Sequence, residues 1–389
     1  MDKVTGEERR QRAVERLLQG EAFTVICRSE GVSRGWLYKW WLRHSRDTAT
    51  WFQDDSRRPH TQPGRTSVEI EEIVQLVRLE LYNAAQFCGA QAIRWRLEDL
   101  VVHPVPSLRT IGRILARHEL THRRTGRYEP KGVPYPKLDA IRPNDVHQSD
   151  FVGPCYLRGG LRFHSLHSLD VSTRRCGVEP LVTGKADVVA GFWALWRRLG
   201  IPKVEQVDNE LCFYGSPAHP RGMGKLIRLC LWHGVEPVFI PLREPWRNGA
   251  VEKFNDHWGA KFQRRVDLTT AAELTRESLA VETRHNLQWR YSALAGKTPM
   301  QALAATEATL RFPPASEPPR EPLPKPTRGR YHVVRFIRSA CEMDVFGERF
   351  PVPREAMYAY GWGTIDVRAQ SLSLYLGPDL LSQQEYRLR

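Results

Sequence analysis

No two of the seven cysteines in this 389-residue chain form a Cys-x-x-Cys pair. They stand at 27, 88, 155, 176, 212, 230 and 341, scattered and odd in number, so neither a disulfide framework nor a zinc ribbon is indicated. Cys230 and His233 have ligand-like spacing, as do His164 and His167, but neither pair has a second pair at zinc-site distance. Core cysteines and ordinary strand histidines are the better reading. Long apolar runs are missing too. Nothing approaches the roughly 20 apolar residues of a membrane span. The N-terminus is charged (Asp2, Lys3, Glu7, Glu8, Arg9, Arg10), so no membrane segment and a cytoplasmic location are expected. Acid is in deficit. Asp and Glu total 44 against 58 Lys and Arg, a net charge of +14, which favours a polyanionic partner. Hydrophobic residues make up 41% of the chain, with a mean hydropathy of −0.48, as in globular proteins. The length predicts two to four folding units of roughly 100–200 residues each.

The first 48 residues read as three short helices. Glu7–Gln19 carries Ala13, Val14, Leu17 and Leu18 at helical spacing, and Ala22–Ser29 follows. Glu30-Gly31-Val32-Ser33 then supplies a turn and a cap for a basic, Trp-rich helix, Arg34–His44. A glycine turn followed by a serine-opened basic helix is the helix-turn-helix pattern, whose last helix enters the major groove. Ser33, Arg34, Lys39 and Arg43 are the candidate DNA contacts. A linker over 49–66 carries Ser56-Arg57-Arg58-Pro59, with Arg57 and Arg58 suited to tracking phosphates. Residues 67–125 repeat the idea as a second helix-turn-helix, with or without a wing. Its helices are Val68–Tyr82, Ala90–Leu100 and Leu108–His118, the last presenting Arg109 and Arg113 outward.

Beyond a Pro-, Lys- and Arg-rich boundary the pattern turns to strands. Asp145–Leu157, Phe163–Ser172 and Cys176–Thr183 alternate as an antiparallel meander. A helix over Lys185–Leu199, a strand over Val204–Val207, a helix over Gly224–His233 and a strand over Pro237–Ile240 come next. A long helix from Asn248 to about Val266 and another over Thr270–Gln288 complete a mixed sheet with helices on its faces. Residues 311–330 read as a proline-rich linker, and 331–380 as a small β-barrel domain.

Three acids lie where such a sheet would expose them at one edge. Asp150 is in the first strand, Asp208 closes the fourth, and Glu252 stands near the start of the long helix. First and fourth strands of a mixed sheet commonly lie side by side, so the aspartates can share a site that the helix completes. Hard oxygen donors of this kind suit Mg²⁺ or Mn²⁺, and two such ions suit phosphodiester displacement.

The surroundings of these acids resemble the catalytic core of the retroviral-integrase superfamily, as found in DDE insertion-sequence transposases. His147-Gln148-Ser149-Asp150 is similar to the family's first-strand motif, and Leu169-Asp170-Val171-Ser172-Thr173-Arg174 to its next one. Gly200-Ile201-Pro202 before Asp208-Asn209 matches in order, as does Pro241 through Asn255, with its Asn248-Gly249-x-x-Glu252-x-x-Asn255 core. His285 through Pro299 resembles the closing segment. The resemblance implies a ribonuclease-H-like α/β core over 140–305 with Asp150, Asp208 and Glu252 as metal ligands and catalytic residues. It further implies two Mg²⁺ or Mn²⁺ ions, cleavage at an element's ends, strand transfer of the 3′-hydroxyl into target DNA, and a homo-oligomer on DNA. A prokaryotic, nucleoid-associated protein is expected. Lys253, Lys261, Arg264 and Arg265 are candidate backbone contacts.

Three departures stand out. Glu210 replaces the glycine that usually follows Asp-Asn. The 43 residues between Asp208 and Glu252 exceed the family's usual spacing, which fits an insertion around Tyr214–Gly222. Glu244 sits at the usual spacing, but only Glu252 has the Asn-Gly approach and the helical register. Tyr291 and Ser292 replace part of the usual closing run. Two other readings remain open: a transposase-derived DNA-binding regulator that no longer cuts, and a nuclease acting on RNA–DNA hybrids.

Overall fold

The computed structural model describes residues 6–46, 49–55, 66–121, 134–216, 218–219, 221–263 and 267–389. Two compact units divide the chain, Met1–Arg65 and Thr66–Arg389.

In the first unit, α1 (Gly6–Leu18), α2 (Phe23–Glu30) and α3 (Arg34–Arg46) close on Ala13, Val14, Ile26, Leu37 and Trp40. Gly31 ends α2 in the left-handed region at φ 64°, which costs glycine nothing. Two residues later the Ser33 hydroxyl accepts the Trp36 amide at 3.1 Å and starts α3. Local chemistry alone thus sets the turn between the helices.

The second unit opens with α4 (Val68–Asn83), α5 (Ala90–Asp99) and α6 (Leu108–Arg117), packed on Val74, Val77, Leu81, Ile93, Leu97, Ile111 and Ile114. Ser67 and Ser107 cap α4 and α6. Residues 100–107 join α5 to α6, a longer connection than the tight turn of the first unit. Any wing after α6 would fall on residues 122–125, outside the described residues.

The rest of the unit is a mixed α/β structure. In chain order come β1 (Val146–Tyr156), β2 (Arg162–Asp170), β3 (Cys176–Leu181), α7 (Val188–Leu199), β4 (Val204–Val207), α8 (Leu211–Tyr214), α9 (Lys225–Trp232) and β5 (Glu236–Phe239). Then follow α10 (Gly249–Trp258), α11 (Ala271–Gln288), α12 (Pro299–Ala304), β6 (Arg330–Phe336), β7 (Glu342–Val345), β8 (Glu348–Pro351), β9 (Tyr360–Asp366), β10 (Ser371–Leu376) and β11 (Asp379–Glu385). Nine strands form one sheet in the order β11-β10-β9-β6-β5-β4-β1-β2-β3. β1, β4, β5 and β6 run parallel, and both flanks are antiparallel. Helices α7 and α9 cover one face over Phe151, Leu166, Phe192, Trp196 and Phe239. Helices α10 and α11 pack on β1, β2 and β3 over Phe163, Leu169, Val178, Phe254 and Trp258. The sheet therefore has a separate apolar layer on each side.

One expectation needs correction. The strands after residue 330 do not close a small barrel of their own. β6 pairs in parallel with β5 (Val238 beside His332, Phe239 beside Val333), so the edge that a barrel would use for closure instead extends the core sheet. Among the described residues only β7 and β8 stand apart, as a two-stranded sheet. The long helix expected from Asn248 to about Val266 is helical over its described part. A 3₁₀ turn, Pro245–Asn248, leads into α10, which passes at Gly259 into a π turn ending at Gln263. Residues 264–266 lie outside the described residues.

The excess spacing before Glu252 is taken up by α8 and the loop over 215–224. Gly224 lies close against the end of α8: a Cβ there would meet the Tyr214 carbonyl carbon at 2.4 Å. Among the described residues no helix is long and apolar enough to cross a membrane.

Candidate active site

Register builds the site. β1 and β4 pair with Val146 beside Val204 and Gln148 beside Gln206. Side chains alternate along a strand, so residues two apart share a face. Both glutamines are spent on the entry to α10. Gln148 Oε1 accepts the backbone N–H groups of Ala250 (2.9 Å) and Val251 (3.3 Å), two donors that a helix N-terminus leaves unpaired. Gln206 Nε2 donates to the Arg247 carbonyl (2.9 Å) and to Asn248 Oδ1 (3.3 Å), while Asn248 Nδ2 donates to the Ser149 carbonyl (2.9 Å). Two residues beyond the glutamines come Asp150 and Asp208. The first turn of α10 brings Glu252, and the next turn brings Asn255, whose Nδ2 donates to Asp150 Oδ2 at 2.8 Å.

The acids feel one another. Burial, then the charge of Asp208, pushes the Asp150 carboxyl up to about 7, with Glu210 and Glu252 adding to the effect. Burial, then the charge of Glu210, pushes Asp208 up to about 6, against an opposing pull from Lys185. Glu252 is raised by burial and by Asp256. Among the described residues no Lys or Arg forms an ion pair with Asp150, Asp208 or Glu252. Nor do any three His, Cys, Asp or Glu side chains among those residues stand together as a finished metal site. The arrangement is a set of partly buried, mutually repelling hard-oxygen donors, which suits a divalent cation in kind.

Glu210 does not add a bare charge. Its backbone N–H donates to Asp208 Oδ1 at 3.0 Å, and its carboxylate is held by Lys185, whose Nζ donates to Oε2 at 2.5 Å and also to Oε1. Lys185 lies 5.1 Å from the centre of the Phe151 ring, beside Asp150. Glu244 is engaged elsewhere. It accepts from Arg247 Nε at 2.9 Å and from the Tyr360 hydroxyl at 2.7 Å, and the Arg247 guanidinium lies 4.1 and 4.7 Å from the ring centres of Tyr135 and Tyr360. That cluster fastens the loop before α10 to β9.

The basic residues singled out from sequence fall into different settings. Ser33 caps α3, and Arg34 and Lys39 are exposed on that helix. Arg43 is tied to Asp55 at 2.5 Å and lies over Trp40. Arg109 and Arg113 project from α6 opposite its buried Ile111, Ile114 and Leu115. Lys253 is exposed, 3.7 Å from Asp256. Lys261 donates to the Gln86 carbonyl and lies over Phe87 and Trp289, so it joins α10's extension to the segment between α4 and α5. Arg57, Arg58, Arg264 and Arg265 lie outside the described residues.

Sequence reasoning gave no role to Gln148, Gln206, Lys185 or His167. For the glutamines a signal existed: each stands two residues before an acid.

No family model matches the chain. Among solved structures, the catalytic core domain of HTLV-2 integrase in complex with magnesium is similar in its dimeric form at 15% identity and a TM-score of 0.31, covering 42% of this chain and 99% of that one. The simian T-cell lymphotropic virus intasome, in complex with PP2A regulatory subunit B56 gamma, is similar at 14% identity and a TM-score of 0.37, covering 70% of this chain and 84% of that one.

Proposed function

We propose that this chain is a DNA transposase whose active site is Asp150, Asp208 and Glu252, cleaving DNA at the ends of its element and joining the freed 3′-hydroxyl to target DNA. One observation supports the reading: the charges of Asp208 and Glu252 both bear on Asp150, whose strand pairs with β4, and Gln148 and Gln206 lace these two strands to the entry of α10.

Asp150, Asp208 and Glu252 would hold Mg²⁺ or Mn²⁺, as a pair of ions. Such ions supply activation of the attacking oxygen and stabilisation of the leaving one. The chain's own contribution is to fix the donors. Gln148 and Gln206 hold α10 against the strands, and Asn255 orients one oxygen of Asp150. Lys185 holds the Glu210 carboxylate and offsets part of the charge that this departure from the family pattern brings beside the acid cluster. The partner is double-stranded DNA, engaged by Arg34 and Lys39 of α3 and by Arg109 and Arg113 of α6, and the working form is a homo-oligomer on paired ends.

The test is a plasmid carrying the DNA that flanks this reading frame, incubated with the protein and Mg²⁺ or Mn²⁺. Strand breaks at the two ends that disappear with EDTA are expected, followed by joined products. A protein that binds this DNA yet never breaks it, with either metal, is the non-cutting regulator instead.

A further inference from the structure

On β2, at the register position beside Asp150, stands His167, fully buried. Its Nδ1 lies 2.7 Å from Asn255 Oδ1, and its Nε2 lies 2.8 Å from Ser165 Oγ. The direction of these hydrogen bonds follows from chemistry. In the ionised form that binds a cation, the Asp150 carboxylate only accepts, so the Asn255 amide turns its nitrogen to Asp150 and its oxygen to His167. An amide oxygen also only accepts, so His167 Nδ1 carries the proton. Nε2 then holds a lone pair, and the Ser165 hydroxyl donates to it. Burial keeps the imidazole neutral, as this pattern requires. Three hydrogen bonds therefore run one way, from Ser165 through His167 and Asn255 to Asp150 Oδ2.

The ring is locked as well. It meets Phe254 and Trp258 of α10 edge-on, at 5.3 and 4.8 Å between centres. His167 thus touches the helix that carries Glu252 and, through Asn255, the strand that carries Asp150.

We propose that His167, as the neutral Nδ1–H tautomer, is a positioning residue of the acid cluster. It fixes the Asn255 amide so that one Asp150 oxygen is held by an N–H while the rest of that carboxylate stays free for a cation. Without the His167 donor the amide is free to turn its oxygen toward Asp150, where it repels the carboxylate. This rests on the reading of Asp150, Asp208 and Glu252 as cation ligands.

Two substitutions separate positioning from packing. His167→Phe keeps the aromatic contacts with α10 and removes the donor. His167→Asn keeps a donor at the δ position and gives up the ring. The probe is Mn²⁺ alone, titrated into the full-length protein and followed by electron paramagnetic resonance, with thermal melting to establish that each variant is folded. Loss of an outer hydrogen-bond partner of a ligand typically costs 10–100-fold in metal affinity, so His167→Phe should weaken Mn²⁺ binding about 10-fold or more. His167→Asn should bind within about threefold of the parent, despite a lower melting temperature from the lost ring contacts. His167→Phe binding as tightly as the parent, or His167→Asn binding more weakly than His167→Phe, overturns the proposal. Asp150→Asn serves as the separate control. If it leaves Mn²⁺ binding intact, or the parent binds none, the cation-site reading has failed and the inference falls with it. If Asp150→Asn abolishes binding while His167→Phe does not weaken it, the inference alone has failed.

Discussion

Lys185 and Glu210 show how a carboxylate beside the acid cluster is held. Glycine would leave the turn after Asp208 uncharged, and glutamate brings a carboxylate into the field of Asp208 and Asp150. Lys185 holds that carboxylate by both oxygens. Removing only the lysine leaves a bare charge beside the site, whereas removing both partners does not. Lys185→Ala should therefore slow cleavage about 10-fold, while Glu210→Gly and the double variant stay within about threefold of the parent. Equal losses in Lys185→Ala and the double variant would show that the charge balance is irrelevant. Glu205 is a second residue-scale case, on the face covered by α7. Burial pushes its carboxyl up to about 8, while Ser149 at 2.5 Å and Trp196 at 3.3 Å pull the other way. The folded chain thus keeps a proton that the unfolded chain releases near the ordinary glutamate value of about 4.3. Stability falls as pH rises from there towards 8, because folding takes up that proton. Glu205→Gln can donate to Ser149 and accept from Trp196 without titrating. Its melting temperature should match the parent at pH 5 and exceed it at pH 8, and parallel melting profiles across that range would refute the assignment.

Between elements, the decisive contacts are those from strand to helix entry. Gln148 takes up two N–H groups of α10's first turn, the turn that carries Glu252. Gln148→Ala should lower stability by about 1–2 kcal/mol, as expected for unpaired helix-terminal donors. It should reduce cleavage further than lost folding explains, because Glu252 moves with that turn. Cleavage that tracks the folded fraction alone would count against this coupling. Much at this scale was legible in the sequence. Helical spacing marked α4 and α6, Gly31 and Ser33 marked the entry to α3, and alternation marked β1, β2 and β3. The barrel was misjudged because short alternating strands look alike whether they close on themselves or extend a sheet. Only the long-range pairing of β6 with β5 decides between these, and no local pattern encodes it. The same holds at the site. Asp150 and Asp208 stand out by strand position, and the Asn248-Gly249 approach favours Glu252. The links of Gln148 to Ala250, His167 to Asn255 and Lys185 to Glu210 join residues far apart in sequence, and only the folded sheet brings them together.

For the molecule as a whole, two helical modules bearing exposed basic residues, a net charge of +14 and an acid cluster at the α10 edge of the sheet form one proposal. Net positive charge favours a phosphate backbone, while in the cluster the charges of Asp208 and Glu252 raise Asp150. The account then turns on which glutamate completes the cluster. Glu244 has the spacing from Asp208 that is usual in the superfamily the sequence resembles, but it is committed to Arg247 and Tyr360. The most direct test measures metal-dependent end cleavage by Asp150→Asn, Asp208→Asn, Glu252→Gln and Glu244→Gln side by side, on the same flanking DNA. The first three should lose about 1000-fold or more, while Glu244→Gln keeps activity within about 10-fold, its loss arising from a looser entry to α10. Cleavage that survives Glu252→Gln, or that Glu244→Gln alone abolishes, would contradict the account.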